Sequence, residues 1–386
     1  MTISPSSLYA VKMKRIYLDN NATTPLDVAV LDAMIEELAA SPHNPSSFHS
    51  YGEEGKRILS DARQTIANHL GVRRGEILFT SGGTEGMNLL IRGALAGKKG
   101  SVIGCPIDHA CALETLRNLE GFELIFLPVN SYGAPHPSSL EKTLRPDTRL
   151  IVLSAANGET GVKLDISSFA QIARENGIPL ILDGVQLLGK EPFVIPEGVS
   201  GMAFSAHKFH GPQGVGFVFC RSGFKLSPLI TGGGQEKNLR SGTENLPGIV
   251  GMTRAITLLD EAPPIHKLKA LRERFEGALI EAFPEIEING EGPRLPNTSN
   301  LYFPGVDGES LLIALDMQGI AASHASACAS GALEPSRVLL NMGYSRERAA
   351  SSLRFSFSRL NTPEEIDQAA LTIIALEKKQ KSFAIN

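Results

Sequence analysis

Tryptophan is absent from the 386-residue chain, and cysteine occurs only as Cys105, Cys111, Cys220 and Cys328. Four scattered thiols cannot form a disulfide framework, and their spacings match no zinc or iron–sulfur pattern. A reducing compartment, read as the cytoplasm, and no bound metal are therefore expected. A charge excess is lacking as well: 37 basic against 41 acidic residues leaves a net charge of −4. A phosphate-backbone binder needs a basic excess, so nucleic acid is not expected as a partner. No apolar run approaches the ~18–20 residues that cross a bilayer, which argues against a membrane protein. Met1 to Arg15 has no apolar h-region and reads as a short extension rather than a secretory signal. No internal repeat or low-complexity tract is found, which sets solenoids and propellers aside.

What the chain does have is 42% hydrophobic residues spread over a length that exceeds one core. Short apolar runs at Glu76–Thr80, Ser101–Gly104, Leu124–Leu127, Leu150–Ser154, Leu180–Leu182, Gly201–Ser205 and Gly216–Phe219 read as strands. Helical patterns at Thr84–Leu95, Ala110–Leu119 and Ile166–Asn176 lie between them. Such alternation predicts an α/β domain with a mostly parallel sheet covered by helices. The texture changes near Pro264, where Ile265–Phe283 forms a long amphipathic pattern. The expected division is a large α/β domain over 16–262 and a smaller α+β domain over 263–386, joined by 1–15.

Three segments carry chemistry. Phe79-Thr80-Ser81-Gly82-Gly83-Thr84 is a strand entering a glycine-rich turn and then a helix. Backbone N–H groups and the helix dipole can converge there on an anion. Neither a Gly-Lys-Ser/Thr sequence nor GxGxxG spacing accompanies it, so it is not a mononucleotide or dinucleotide loop. Ile178–Leu182 is an apolar run closed by Asp183, which puts a carboxylate at the edge of the sheet where open α/β folds bind ligands. Ser205-Ala206-His207-Lys208 follows a strand and precedes Gly211-Pro212. A lysine so placed can lose its proton and form a Schiff base with a carbonyl compound. A phosphate cradle, a strand-end Asp and a Schiff-base lysine are the three needs of pyridoxal 5′-phosphate.

Their order resembles the fold-type I pyridoxal-phosphate enzymes, in the class V aminotransferase branch, and within it the cysteine desulfurases. The resemblance covers nearly the whole chain. It rests on Tyr17-Leu18-Asp19-Asn20-Asn21-Ala22-Thr23-Thr24-Pro25, on Asn44-Pro45-Ser46-Ser47 with His49 and Gly52, and on the lysine segment. Arg240-Ser241-Gly242-Thr243-Glu244-Asn245, Ser326-Ala327-Cys328, Leu333-Glu334-Pro335-Ser336 and Leu353-Arg354-Phe355-Ser356 complete it.

The resemblance implies that Lys208 tethers the cofactor and that Asp183 holds its ring nitrogen protonated. Gly83, Thr84, Ser205 and His207 would bind its phosphate, joined by Thr243 from the second subunit of a homodimer. His109 would stack on the ring and move protons. Asn157 and Gln186 would meet the phenolic oxygen. Arg354, with Asn21 and Asn157, would bind the substrate, the guanidinium pairing bidentately with its carboxylate.

Cys328 would be the nucleophile that takes sulfur from L-cysteine as a persulfide, leaving alanine. Its neighbours from Ala325 to Gly331 are all small, which suits a loop that delivers sulfur to an acceptor protein such as an iron–sulfur scaffold, or for thiolation. A selenocysteine lyase would share every motif, and a silent scaffold in a sulfur-transfer complex is the reading from another class. His324, near the thiol in sequence, is a candidate for lowering its pKa. Cys105, Cys111 and Cys220 read as core.

Overall fold

The computed structural model describes residues 15–261, 264–324 and 334–384, with the backbone alone for 380–384. Its strands are β1 (Ile16–Tyr17), β2 (Ile77–Thr80), β3 (Gly100–Gly104), β4 (Phe122–Phe126), β5 (Thr148–Ser154) and β6 (Leu180–Asp183). They continue as β7 (Val199–Ser205), β8 (Gly216–Cys220), β9 (Glu287–Ile288), β10 (Thr298–Tyr302), β11 (Ile320–Ala321) and β12 (Ser352–Ser356).

Seven strands form the main sheet in the order β2-β8-β7-β6-β5-β3-β4. The run from β7 to β4 is parallel, whereas β8 is antiparallel to both its neighbours. Successive residues of a strand face opposite sides, and both sides are apolar here. Ile151, Leu153, Leu180 and Leu182 enter one cluster with helices Ser50–Leu70, Ile166–Glu175 and Leu246–Glu261. Leu150, Val152 and Ile181 enter another with helices Gly83–Leu95 and Ala110–Arg117. The α/β reading with a mostly parallel, doubly covered sheet is what the structure has. β4 departs from the buried-strand expectation: it closes one edge, and its residues are half-buried or exposed.

A separate cluster gathers Leu268, Phe275, Leu279, Phe303, Leu353, Phe355 and Phe357 around the antiparallel sheet β12-β10-β9. Phe275 stands 4.8 Å from Phe355 and 5.4 Å from Phe357, ring centre to ring centre, the spacing of favourable aromatic pairs. Ile16 and Leu18 belong to this cluster, and β1 pairs in parallel with β11. The segment expected to open the larger unit is thus packed in the smaller core. Conversely Val338, Leu339 and Met342 return to the larger one. The chain passes from the smaller core to the larger one between Leu18 and Val30, and Asn20-Asn21 lie on that passage.

Candidate active site

Because β3, β5, β6 and β7 run in parallel, they end together, with Ser154 opposite Asp183 and Asp183 opposite Ala203. The segments that leave these strands therefore gather at one edge: His109, Asn157, Gln186, and the turn carrying His207 and Lys208. β8, antiparallel on both sides, turns β2 into the same direction, so Thr80 ends beside Ser205 with Gly216 between them. A side chain at Gly216 would collide with the Phe204 carbonyl and the backbone of Gly82. Only glycine lets the two turns approach.

After Thr80 the chain enters helix Gly83–Leu95, whose first hydrogen bond runs from Gly86 N–H to Gly82 O at 3.0 Å. The N–H groups of Gly83, Thr84 and Glu85 thus have no intrahelical acceptor. Ser205 adjoins them, its Oγ 3.4 Å from where a Cβ on Gly82 would stand. Gly83 is held close to Val185, whose Cγ2 would lie 2.5 Å from an added Cβ. Thr84 is exposed at this opening.

Asp183 is buried at the end of β6. Its Oδ1 accepts from Val185 N–H at 3.0 Å, and its Oδ2 lies 3.7 Å from Cys111 Sγ. Both donors are uncharged, and among the described residues no cation is bonded to the carboxylate. His109 caps helix Ala110–Arg117, its Nδ1 accepting from Cys111 N–H at 3.1 Å, and it is exposed. Asp108 behind it is fully enclosed and accepts from Ser154 N–H at 2.9 Å and Cys105 N–H at 3.2 Å. Burial, then the Asp183 charge, raise the Asp108 carboxyl to about 7. Cys105 is core as expected. Cys111 is not: it is part-buried and borders the site.

Lys208 Nζ donates to Asn21 O at 2.6 Å and Ala22 O at 2.7 Å. Burial first, then Arg354, lower its ammonium to about 8, against the opposing pull of Asp183 and Asp19. A neutral amine is accordingly accessible near physiological pH. Lys190, which sequence reasoning passed over, is buried with Nζ on Lys208 O at 2.8 Å. Burial and Lys208 lower it to about 7. The His207 ring meets Thr23 Oγ1 at 3.0 Å, and burial, then the two lysines, depress it to about 4, which keeps it neutral. Gln186 Nε2 donates to Asn21 O at 3.0 Å, while its Oε1 is buried with no hydrogen-bond partner among the described residues.

Arg354 reaches the site from β12. It is buried, pairs with Asp19 at 2.6 Å and donates to Gly158 O at 3.0 Å. Its Nε is buried with no hydrogen-bond partner among the described residues. Asn21 is nearly spent: its Nδ2 donates to Gly158 O and Thr298 Oγ1, and its Oδ1 accepts from Asn297. What it offers the site is its main-chain carbonyl. Asn157 gives Oδ1 to the N–H groups of Glu159 and Thr160 and one amide hydrogen to Ile107 O, leaving one hydrogen.

Two candidates stand apart. Thr243 is exposed, near Arg240, whose guanidinium pairs with Glu85 at 2.9 Å. No bond joins Thr243 to the other candidates among the described residues. Cys328 lies outside the described residues. His324 is described: its buried ring donates from Nε2 to Ala350 O at 2.7 Å.

The arrangement fits pyridoxal 5′-phosphate in each part. The helix start with Ser205 and His207 suits a phosphate, and the Asp183 carboxylate suits a protonated ring nitrogen. The lowered Lys208 amine suits an aldehyde. Gln186 Oε1, orphaned and buried, suits a polar group of the ligand.

Residues 16–369 match the model of the class-V aminotransferase family. A cysteine desulfurase IscS of Dictyoglomus turgidum is 42% identical, over 92% of this chain and 93% of its own. Among solved structures, a NifS-like protein superposes with a TM-score of 0.86 at 36% identity, over 94% of this chain and 99% of that one. SspA, solved in complex with cysteine, gives 0.80 at 31% identity, over 90% and 100%. Fold, site geometry and likeness agree, and the chain belongs to the cysteine desulfurases of the class-V aminotransferase family.

Proposed function

We propose that the protein is a pyridoxal-phosphate-dependent cysteine desulfurase that converts L-cysteine to L-alanine and takes the sulfur as a persulfide on Cys328. The observation that carries this reading is the placement of the Lys208 amine and the Asp183 carboxylate at one sheet edge, facing Arg354. The cofactor, when bound, supplies an electron sink for charge developing at the substrate α-carbon. The protein's own groups do the rest. Asp183 holds a proton at the ring nitrogen, and Gly83, Thr84, Ser205 and His207 hold the phosphate. Lys208 would tether the cofactor, and its amine would move protons at the substrate α-carbon. His109, exposed at the same edge, would be placed to pass a proton through its imidazole. Gln186 and the remaining Asn157 hydrogen would hold the phenolic oxygen.

Arg354, with Asn21 behind it, orients the substrate carboxylate. The Cys328 thiolate then attacks the substrate sulfur. The carbon–sulfur bond breaks, its electron pair stays on carbon, and a proton completes alanine. The persulfide passes to an acceptor protein, such as an iron–sulfur scaffold, or into thiolation. The working form in this reading is a cytoplasmic homodimer in which Thr243 serves the partner's phosphate site. The two cores correspond to a large domain and a smaller one that carries Arg354 and Cys328. The test is sulfide and alanine release from L-cysteine by wild type and Cys328→Ala. A variant that retains cofactor but makes no sulfide supports the reading. A variant as active as wild type overturns the nucleophile.

A further inference from the structure

Cys111 has no part in the chemistry above, yet it touches two groups that do. It occupies the first turn of helix Ala110–Arg117, anchored through its carbonyl, which accepts from Thr115 Oγ1 at 2.7 Å. Its N–H donates to His109 Nδ1 at 3.1 Å, and its Sγ stands 3.7 Å from Asp183 Oδ2. One polar side-chain atom from each of His109, Cys111 and Asp183 lies within 4.8 Å of the other two. Sulfur is large and its S–H bond is a weak donor, so 3.7 Å is a contact at which the hydrogen still reaches the carboxylate.

We infer that Cys111 is a positioning residue whose thiol shares the Asp183 carboxylate with the ring nitrogen of the bound cofactor. This rests on the reading that Asp183 is the partner of that nitrogen. Asp183 has one oxygen on Val185 N–H, so Oδ2 carries the remaining acceptor capacity. An S–H directed at Oδ2 draws on the negative charge that would otherwise act on the ring nitrogen alone. The thiol plays this part only as the protonated species, and its surroundings keep it so. Burial first, then the charge of Asp183 and its hydrogen bond, then Asp108, hold the Cys111 thiol far above its ordinary range. The group is thereby a donor rather than a nucleophile, the opposite of what is expected of Cys328. The thiol therefore tempers the electron sink, at a position that reads in sequence as helix core.

Two measurements test this, one without cofactor. In cofactor-free full-length protein, the pH dependence of iodoacetamide labelling at Cys111 is followed by mass spectrometry for wild type and Asp183→Asn. Removing the negative charge should move the labelling midpoint to lower pH and speed labelling at neutral pH. Identical profiles overturn the contact. In the second, protein is loaded with cofactor labelled with 15N in the ring, and the nitrogen resonance is compared in wild type, Cys111→Ala and Cys111→Ser. Alanine removes the competing donor, so the resonance should move toward the protonated limit. Serine keeps a donor, and its resonance should stay on the wild-type side of alanine. Three superimposed resonances overturn the sharing. If wild type itself takes up no cofactor, the proposed function fails instead, and the labelling experiment still reads the thiol–carboxylate contact.

Discussion

Two buried cationic regions face each other across the site, and they are solved differently. On the larger core, Lys208 and Lys190 bond to main-chain carbonyls of Asn21, Ala22 and Lys208 itself. Their ammonium groups fall to about 8 and about 7. On the smaller core, Arg354 is set against the Asp19 carboxylate. Carbonyls satisfy hydrogen bonds without matching charge, so burial and the neighbouring Lys208 lower Lys190, and on Lys208 burial outweighs the pull of Asp183 and Asp19. A guanidinium keeps its charge in any such setting, and the carboxylate beside it lowers the cost of burying it. The lysine side is built to gain and lose protons, and the arginine side to hold a constant charge.

The largest effect should come from Lys208→Ala. It removes the titratable amine and should lower alanine formation by on the order of 10²–10⁴-fold. Borohydride reduction followed by mass spectrometry should leave the variant without a covalently attached cofactor. Covalent attachment elsewhere would break the distinction between the lysines. Next comes Arg354→Lys, which keeps a positive charge and loses the fork. Loss of about 1.5–3 kcal/mol of charge-assisted bonding corresponds to a KM for cysteine raised roughly 10–150-fold. A kcat changed as much as KM would mean that Arg354 does more than hold substrate.

The third prediction concerns stability rather than turnover. The folded-state value of Lys190, about 7, lies below its ordinary 10.5. Between these values the unfolded chain binds more protons, so wild-type stability rises with pH across that window. The penalty is fully present below about 7 and is gone above about 10.5. Lys190→Met has no such group, so the stability difference between variant and wild type should shift in favour of wild type as pH rises through this range. Urea unfolding at several pH values reads it. A constant difference would show that Lys190 is not buried as an ammonium.

Legibility followed sequence distance. Asp183 was readable because three apolar residues precede it in β6, and Lys208 because Ser-x-His leads into it. The sheet order was not, since nothing in Gly216–Cys220 announces that it inserts between β2 and β7. Helices Val28–Ala39 and Ser50–Leu70 also went unread, although Leu59, Ala62, Ile66 and Leu70 mark a buried face on the second. Lys190 stands in Gly189-Lys190-Glu191-Pro192, which looks like a solvated turn, and only the tertiary fold closes over it. Cys111 reads as core because its neighbours in the helix are apolar. Its approach to Asp183, 72 residues away, depends on β3, β5 and β6 being in register. The pairing of Asp19 with Arg354 spans 335 residues and needs the Asp19–Ser356 bridge.

The inserted strand β8 also orders events in time. It is the last strand of its sheet to leave the ribosome, yet it separates two strands made before it. Until Gly216–Cys220 is in place, no strand joins β2 to β7, and the turn after Thr80 is not set beside the one after Ser205 by the sheet. A nascent chain that has already made Asp183 and Lys208 therefore still has no phosphate cradle. Arg354 emerges more than a hundred residues later, when the cradle can already be complete. Translation order thus permits cofactor capture before the substrate anchor exists.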